Sequence, residues 1–292
     1  MIYLTGFADE AASDIDGQIR ATQELGWTNI ELRNVDGKNL HEVSDEEFDA
    51  VCGKLADAGI QINCFGSAIA NWAKKIDEPM TVDLKQSLRA IPRLQRLGTK
   101  LIRIMSYAVL KDRSPEDQMF EERVSRMRML SRMFLDVGIQ PVHENCMNYG
   151  GMGWSYSLRL LEEVPDLKLV FDTGNPVFTD DRTKPLPFPK QSAWEFYDRV
   201  RDHVVYVHIK DGRMEDNECF YGWPGEGDGD VRRICEDLVK RGYEGGISIE
   251  PHLKAVYHEA AISSGEEAKY ASYVEYGRRM ETILNKLGAQ LS

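Results

Sequence analysis

The stretch Val204-Val205-Tyr206-Val207-His208-Ile209-Lys210-Asp211 decides how the whole chain is read. Alternate side chains of an extended backbone point to opposite faces, so Val205, Val207 and Ile209 share one face and Tyr206 and His208 the other. The aliphatic face suits packing on helices, whereas the mixed face suits the axis of a closed sheet. The pattern recurs at residues 2–5, 29–32, 60–65, 101–105, 141–144, 167–172 and 246–250, making eight runs in all. Their aliphatic sets include Ile2/Leu4, Ile30/Leu32, Ile60/Ile62/Cys64, Ile102/Ile104, Leu169/Phe171 and Ile247/Ile249. The complementary sets predict an unusually polar interior that includes Thr5, Phe7, Glu31, Asn63, Phe65, Arg103, Glu144, Asp172, His208 and Glu250.

Amphipathic stretches between the runs predict helices near 15–25, 45–58, 82–97, 118–137, 155–163, 193–202, 231–241 and 266–287. Several stop on a glycine, namely Gly26, Gly59, Gly98, Gly138, Gly242 and Gly288, the residue that most easily adopts the left-handed conformation after a helix. Eight strand–helix units predict an α/β protein built as a single (β/α)8 TIM barrel, with residues 1–292 as one domain.

Composition narrows the function. The 292 residues are 42% hydrophobic and 29% charged, enough for a large core without a linker or low-complexity segment. Thirty-six basic against 48 acidic residues give a net charge of -12, which repels nucleic acid and anionic membrane surfaces. No apolar run approaches the ~20 residues of a membrane helix, and the opening Met1-Ile2-Tyr3-Leu4-Thr5-Gly6 lacks a basic, then apolar leader, so the expected location is the cytoplasm. The five cysteines, Cys52, Cys64, Cys146, Cys219 and Cys235, form no CxxC pair and read as reduced thiols.

Four predicted inward residues end the last four runs, where barrel enzymes place their reactive groups. They are Glu144 in Pro-Val-His-Glu-Asn, Asp172 in Val-Phe-Asp-Thr-Gly-Asn, His208 in Tyr-Val-His-Ile-Lys-Asp and Glu250 in Ser-Ile-Glu-Pro-His. Three carboxylates crowded into a barrel mouth repel one another unless a cation offsets them. Oxygen donors with one imidazole suit Mn, Mg, Co or Fe, with Zn also compatible, so one divalent metal is expected.

This pattern resembles the xylose isomerase-like barrel superfamily, in particular the sugar isomerase and epimerase branch that contains ketose 3-epimerases and inosose dehydratases. The resemblance covers essentially the whole chain, and includes the late segment Trp223-Pro224-Gly225-Glu226-Gly227-Asp228-Gly229-Asp230. It implies a single metal, usually Mn, on residues matching Glu144, Asp172, His208 and Glu250. The chain departs from the pattern at Asn175, where epimerases of the family often carry a second histidine. Asparagine can bind a hydroxyl but cannot shuttle a proton at neutral pH.

Further expectations concern the surroundings. Asn175, Lys210, His252, Phe7, Phe65 and Arg213 are candidate substrate contacts. His143 should face away from Glu144, because neighbours on a strand point oppositely. The buried pair Glu31 and Arg103 should meet each other or a substrate, since an uncompensated charge there is costly. The glycine clusters at 150–153 and 225–229 fit no dinucleotide or phosphate-loop spacing and read as flexible loops, with Asp228 or Asp230 capping the next helix.

The expected activity is a metal-dependent isomerase or epimerase of a small unphosphorylated sugar, keto-sugar or polyol, with Glu144 and Glu250 moving protons beside a polarised carbonyl. The alternative is a lyase or dehydratase acting on an inosose or a 3-keto-glycoside. An apurinic-site endonuclease needs more histidines and a basic face, and a non-catalytic sugar-binding barrel should lack a ligand. The expected partner is a small carbohydrate, with no nucleic acid or membrane, and a homo-oligomer is compatible.

Overall fold

The computed structural model describes residues 1–253 and 265–292. Eight strands form its centre: β1 (Ile2–Gly6), β2 (Asn29–Leu32), β3 (Gln61–Gly66), β4 (Leu101–Ile104), β5 (Gln140–Glu144), β6 (Lys168–Asp172), β7 (Val204–Ile209) and β8 (Gly245–Ile249). They pair in parallel, each with its sequence neighbour from β2 through to β8, and β8 pairs back onto β1. A parallel bridge between Phe7 and Glu31 brings β1 against β2, so the sheet forms a nearly closed barrel.

The major helices are α1 (Ile15–Glu24), α2 (Asp45–Ala58), α3 (Thr81–Leu97), α4 (Phe120–Leu135), α5 (Trp154–Glu163), α6 (Ala193–Val200), α7 (Val231–Lys240) and α8 (Glu266–Lys286). Their ends follow local chemistry. Ser44 and Glu47 form a reciprocal capping box at the start of α2, satisfying two otherwise orphaned backbone donors. All six predicted stop glycines have φ between 68° and 75°. No helix among the described residues is long and apolar enough to cross a membrane.

The aliphatic faces of the strands pack against the helices in one large core that includes Ile30, Ile102, Ile104, Val207, Ile209, Ile247 and Ile249. Inside the barrel, Cys64, Val142, Val170 and Tyr206 form a separate apolar layer. A polar layer accompanies it: Thr5 donates to Asn63 at 3.0 Å, and Asn63 donates to the Tyr206 hydroxyl at 2.8 Å. The Tyr206 ring needs the space at Gly246, where a Cβ would lie 2.3 Å from it.

The structure corrects two stretches of the expected alternation: pairing between β6 and β7 jumps from Leu169–Val204 to Val170–Tyr206, and Val205 packs against the interior layer instead of the helices; the other lies in β3. Pairing between β2 and β3 jumps from Ile30–Ile62 to Glu31–Cys64. The extra residue reverses the parity of everything after it. Cys64 therefore joins the interior layer instead of the helix-facing set. Phe65 turns the other way, into the helix-facing core, with its ring 5.8 Å from that of His41.

Candidate metal and substrate site

The last four strands end in the four expected side chains, all buried, and one ligand atom from each of Glu144, Asp172, His208 and Glu250 lies within 4.8 Å of the others. Each side chain uses a second atom as an anchor. Glu144 Oε2 accepts from Arg103 at 3.0 Å, leaving Oε1 facing Asn175 Nδ2 at 3.2 Å and His208 Nδ1 at 3.4 Å. Asp172 Oδ1 accepts the backbone N–H groups of Gly174 and Asn175 at 2.8 and 2.6 Å. His208 Nε2 lies 3.0 and 3.1 Å from the two oxygens of Glu31. Glu250 Oε1 meets Arg33 and His252, each at 3.4 Å, and its Oε2 meets Lys210 at 3.2 Å.

Asn145 fixes the depth of this arrangement by exchanging hydrogen bonds with the backbone of Asp172 at 2.9 and 2.7 Å. Thr173 does the same between β6 and β7, donating to the Lys210 carbonyl at 2.6 Å and accepting its N–H at 3.2 Å.

The electrostatics follow from burial and from these partners. Burial opposes ionisation of Glu144, yet Arg103 and then His208 hold its carboxyl down to about 2. Glu250 is likewise held well below the usual carboxylate range, against burial, by Lys210, His252, His208 and Arg33. Asp172 goes the other way: burial, offset in part by Lys210 and reinforced by Glu250 and Glu144, pushes it up to about 7. Burial alone would keep His208 neutral, but Glu31 and Glu144 raise it to about 10.

These residues fit a divalent cation. Asp172 Oδ2 is buried without a hydrogen-bond partner, although the Lys210 ammonium lies 3.0 Å away. Its raised pKa marks a charge that the surroundings leave incompletely balanced, and a cation would relieve it. Glu31 supplies the carboxylate that a ligating histidine ordinarily finds on its other ring nitrogen. The donor set, three carboxylates and one imidazole, is hard and oxygen-rich.

The structure brings several expected substrate contacts to the cluster. Asn175 touches Glu144, Lys210 bridges Asp172 and Glu250, and His252 reaches Glu250 although Pro251 redirects the chain and leaves His252 at φ 49°. Phe7 is fully buried, with its ring centroid 5.0 Å from that of His208 in an edge-on arrangement and the guanidinium groups of Arg33 and Arg103 over it at 4.4 and 5.2 Å. It supports the cluster instead of presenting a free wall. Phe65 is turned away by the bulge in β3. Arg213 stands on the hairpin Gly212–Glu215/Glu218–Tyr221, half exposed and paired with Glu215, and touches none of the four candidate ligands.

Glu31 and Arg103 are both buried but do not pair with each other; each anchors a different candidate ligand. His143 faces away as expected, with Nε2 2.9 Å from Ser106 Oγ, and burial pushes it down to about 4. Asp9, Glu10 and Arg33 were not anticipated. Arg33 joins Asp9, Glu10 and Glu250, and Glu10 accepts both the backbone N–H and the ring of His252, at 2.8 and 2.7 Å.

The glycine segment is also more ordered than expected. Asp211 accepts four backbone N–H groups, from Gly212, Gly225, Gly227 and Gly229, at 2.8 to 3.1 Å. A Cβ at Gly227 would lie 2.4 Å from the Asp211 carboxylate. Asp230 precedes α7 without a side-chain cap and instead accepts from the Trp194 backbone.

A barrel whose strand ends gather carboxylates and one histidine carries them where barrel enzymes place their reactive groups. The chain belongs to the xylose isomerase-like TIM barrel family, whose model matches residues 19–272. No curated protein matches the sequence. Among solved structures, it is similar to the IOLI protein with a bound zinc atom, at TM-score 0.73 and 13% identity over 99% of this chain and 100% of that one. A D-tagatose 3-epimerase-like protein gives TM-score 0.69 and 15% identity over 98% and 100% of the two chains. The probable 3-DHS dehydratase AsbF from Bacillus anthracis gives TM-score 0.69 and 15% identity over 96% and 99%.

Proposed function

We propose that the chain is a divalent-metal-dependent isomerase or epimerase of a small sugar, keto-sugar or polyol. The observation that supports this is the division of labour in the cluster: Glu144, Asp172, His208 and Glu250 each have one atom anchored outward and another turned to a common centre, where Asn175 and Lys210 now meet the carboxylates. Mn is the favoured ion, held by those four residues. When bound, it would polarise a substrate carbonyl and make the adjacent C–H more acidic.

The protein's own groups do the rest. Glu144 and Glu250 come from β5 and β8, either side of the two strands carrying Asp172 and His208, and Arg103, Arg33 and Lys210 keep both ionised while lowering their basicity, so proton uptake relies on a C–H made acidic beside the carbonyl. One removes a proton beside the carbonyl and the other returns one, the arrangement needed for inversion or for transfer along the carbon chain. Asn175 and Lys210 orient hydroxyls. A lyase reading has its own support in Lys210 and His252, which flank Glu250 and can protonate a departing oxygen.

Metal analysis and turnover test the proposal together. The purified chain should bind one divalent ion, and Glu144→Gln and Glu250→Gln should keep substantial metal while losing turnover on a ketose panel by roughly two orders of magnitude. In deuterated water the reacting carbon should acquire solvent deuterium. Absence of bound ion under Mn, Mg, Co and Zn, or full activity in both metal-loaded variants, would overturn it.

A further inference from the structure

Beside the cluster lies a cleft of about 380 Å³ whose lining includes Trp72, Lys111, Met147, Met152, Phe178 and Arg182. Its walls are the loops that leave β3, β4, β5 and β6, Trp72 coming from the first of these, and the last three strands carry Arg103, Glu144 and Asp172. Asn148, on the same lining, donates to the Glu144 carbonyl at 3.0 Å. Phe178 stands at the end of the short helix that begins at Asn175. The cleft is therefore built on the backbone that positions the candidate ligands, yet it contributes no group to the proposed reaction.

Its chemistry differs from that of the cluster and from the acidic chain as a whole. Trp72 and Met147 are 48% and 57% exposed at its edge, and both line the same cleft. With Met152 and Phe178 they offer soft and aromatic surfaces that favour a flat ring. Three basic residues line the cleft and one acidic residue, Asp180, which is already bound to Lys190 at 2.8 Å. Lys111 and Arg182 have no carboxylate partner among the described residues. An apolar floor edged by two cations without carboxylate partners, Lys111 and an Arg182 guanidinium that also lies 5.3 Å from the Phe188 ring centroid, recognises an aromatic ring that bears an anion.

We propose that this cleft is a second subsite, holding an aromatic-acid substituent of a substrate whose sugar ring lies at the metal cluster. The proposal rests on the reading of the cluster as a sugar site and narrows it to carbonyl-bearing sugar conjugates such as aryl 3-keto-glucosides, for which the unreactive glucosides below serve as binding probes. Calorimetry with three probes tests it: methyl β-D-glucopyranoside, phenyl β-D-glucopyranoside and 4-carboxyphenyl β-D-glucopyranoside, each against the Mn-loaded protein. Affinity should rise in that order, by at least tenfold from first to last. Trp72→Ala should remove the gain given by the ring, and Lys111→Gln with Arg182→Gln only the gain given by the carboxylate, which should also weaken in high salt. Equal affinity for all three probes, or gains that survive these substitutions, would overturn the subsite.

A fourth probe, 4-hydroxybenzoate alone, separates this failure from failure of the sugar reading. Saturable binding lost in the cleft variants upholds the recognition chemistry even in a chain without sugar turnover. A chain that turns over ketoses but ignores the aromatic probes overturns the subsite and leaves the reaction standing.

Discussion

Glu31 offers the sharpest test of the site, because it is expected to control a ligand it never replaces. Its two oxygens face His208 Nε2 at 3.0 and 3.1 Å, and both side chains are fully buried. A carboxylate only accepts, so Nε2 must carry the proton. The other nitrogen, Nδ1, then faces Glu144 Oε1 and Glu250 Oε2 at 3.4 and 3.8 Å with the orientation a ligand needs. Glu31→Gln keeps the volume, and so leaves no cavity, but removes the charge. In one of its two orientations the amide donates to Nε2 and drives the proton to Nδ1, where it blocks coordination. Loss of such a partner ordinarily weakens metal binding 10–100-fold, about 1.4–2.7 kcal/mol. A Mn titration against a chelating indicator should show that loss in the variant, with the circular dichroism spectrum unchanged. Binding within threefold of the parent would refute the orienting role while leaving the metal site itself in place.

Other regions make independent predictions. Asp211→Ala leaves four glycine N–H groups without their acceptor, at about 1–3 kcal/mol for each one buried and unsatisfied; a stability loss of about 3 kcal/mol or more in urea unfolding is expected, and a loss under 1 kcal/mol would show that water replaces the carboxylate. His41 is buried, neither ring nitrogen has a hydrogen-bond partner, and burial, with Lys74, Arg93 and Arg89 nearby, depresses it to about 4 against the pull of Asp83 and of a Glu42 carboxylate 3.8 Å away. Its contribution is therefore complete above the unfolded value of about 6.5 and is lost as pH falls toward 4, because only the unfolded chain takes up the proton in that window. Unfolding measured across that range should lose about 2–3 kcal/mol from this residue, and His41→Leu should flatten that part of the curve; an unchanged slope would assign the effect to other groups.

Much of this was legible in the sequence for a simple reason. Each barrel strand is short and its last residues are regular, so period two places Glu144, Asp172 and His208 correctly, and Glu250 follows one residue beyond β8. The bulge at Asn63–Cys64 was not legible, because an extra residue leaves the composition of a strand unchanged while reversing its parity; Phe65 fell on the wrong face through that one slip. The segment 223–230 read as flexible because its glycines match no phosphate-binding spacing. Its actual signal was relational: glycines at 225, 227 and 229 follow a buried acid, Asp211, that needs their N–H groups. Asp9, Glu10 and Arg33 escaped notice because they lie in loops after their strands, and their common purpose is visible only once β1, β2 and β8 are side by side. Arg33 did carry a hint, since it stands one residue beyond the end of β2 as Lys210 stands one beyond β7.

The two halves of the barrel contribute different kinds of group. The inward-facing donor atoms come from β5 to β8, through Glu144, Asp172, His208 and Glu250. Many of the anchors on their far sides come from β1 to β4 and the loops after them: Glu31 on His208, Arg103 on Glu144, and Arg33 on Glu250, with Glu10 holding His252. Donors without anchors would be three buried carboxylates free to rotate, repel and take up protons. Anchors without donors would leave Arg103 buried without the Glu144 carboxylate and Glu31 buried without its histidine, although Arg33 would keep Asp9 and Glu10. The two halves thus compensate each other where the sheet closes, and the closing bridge joins Phe7 to Glu31. The ring of that phenylalanine lies between Arg33 and Arg103 and against His208, and the carboxylate of that glutamate orients the same histidine. Closure of the barrel and preparation of the ligand are thus carried by the same pair of residues.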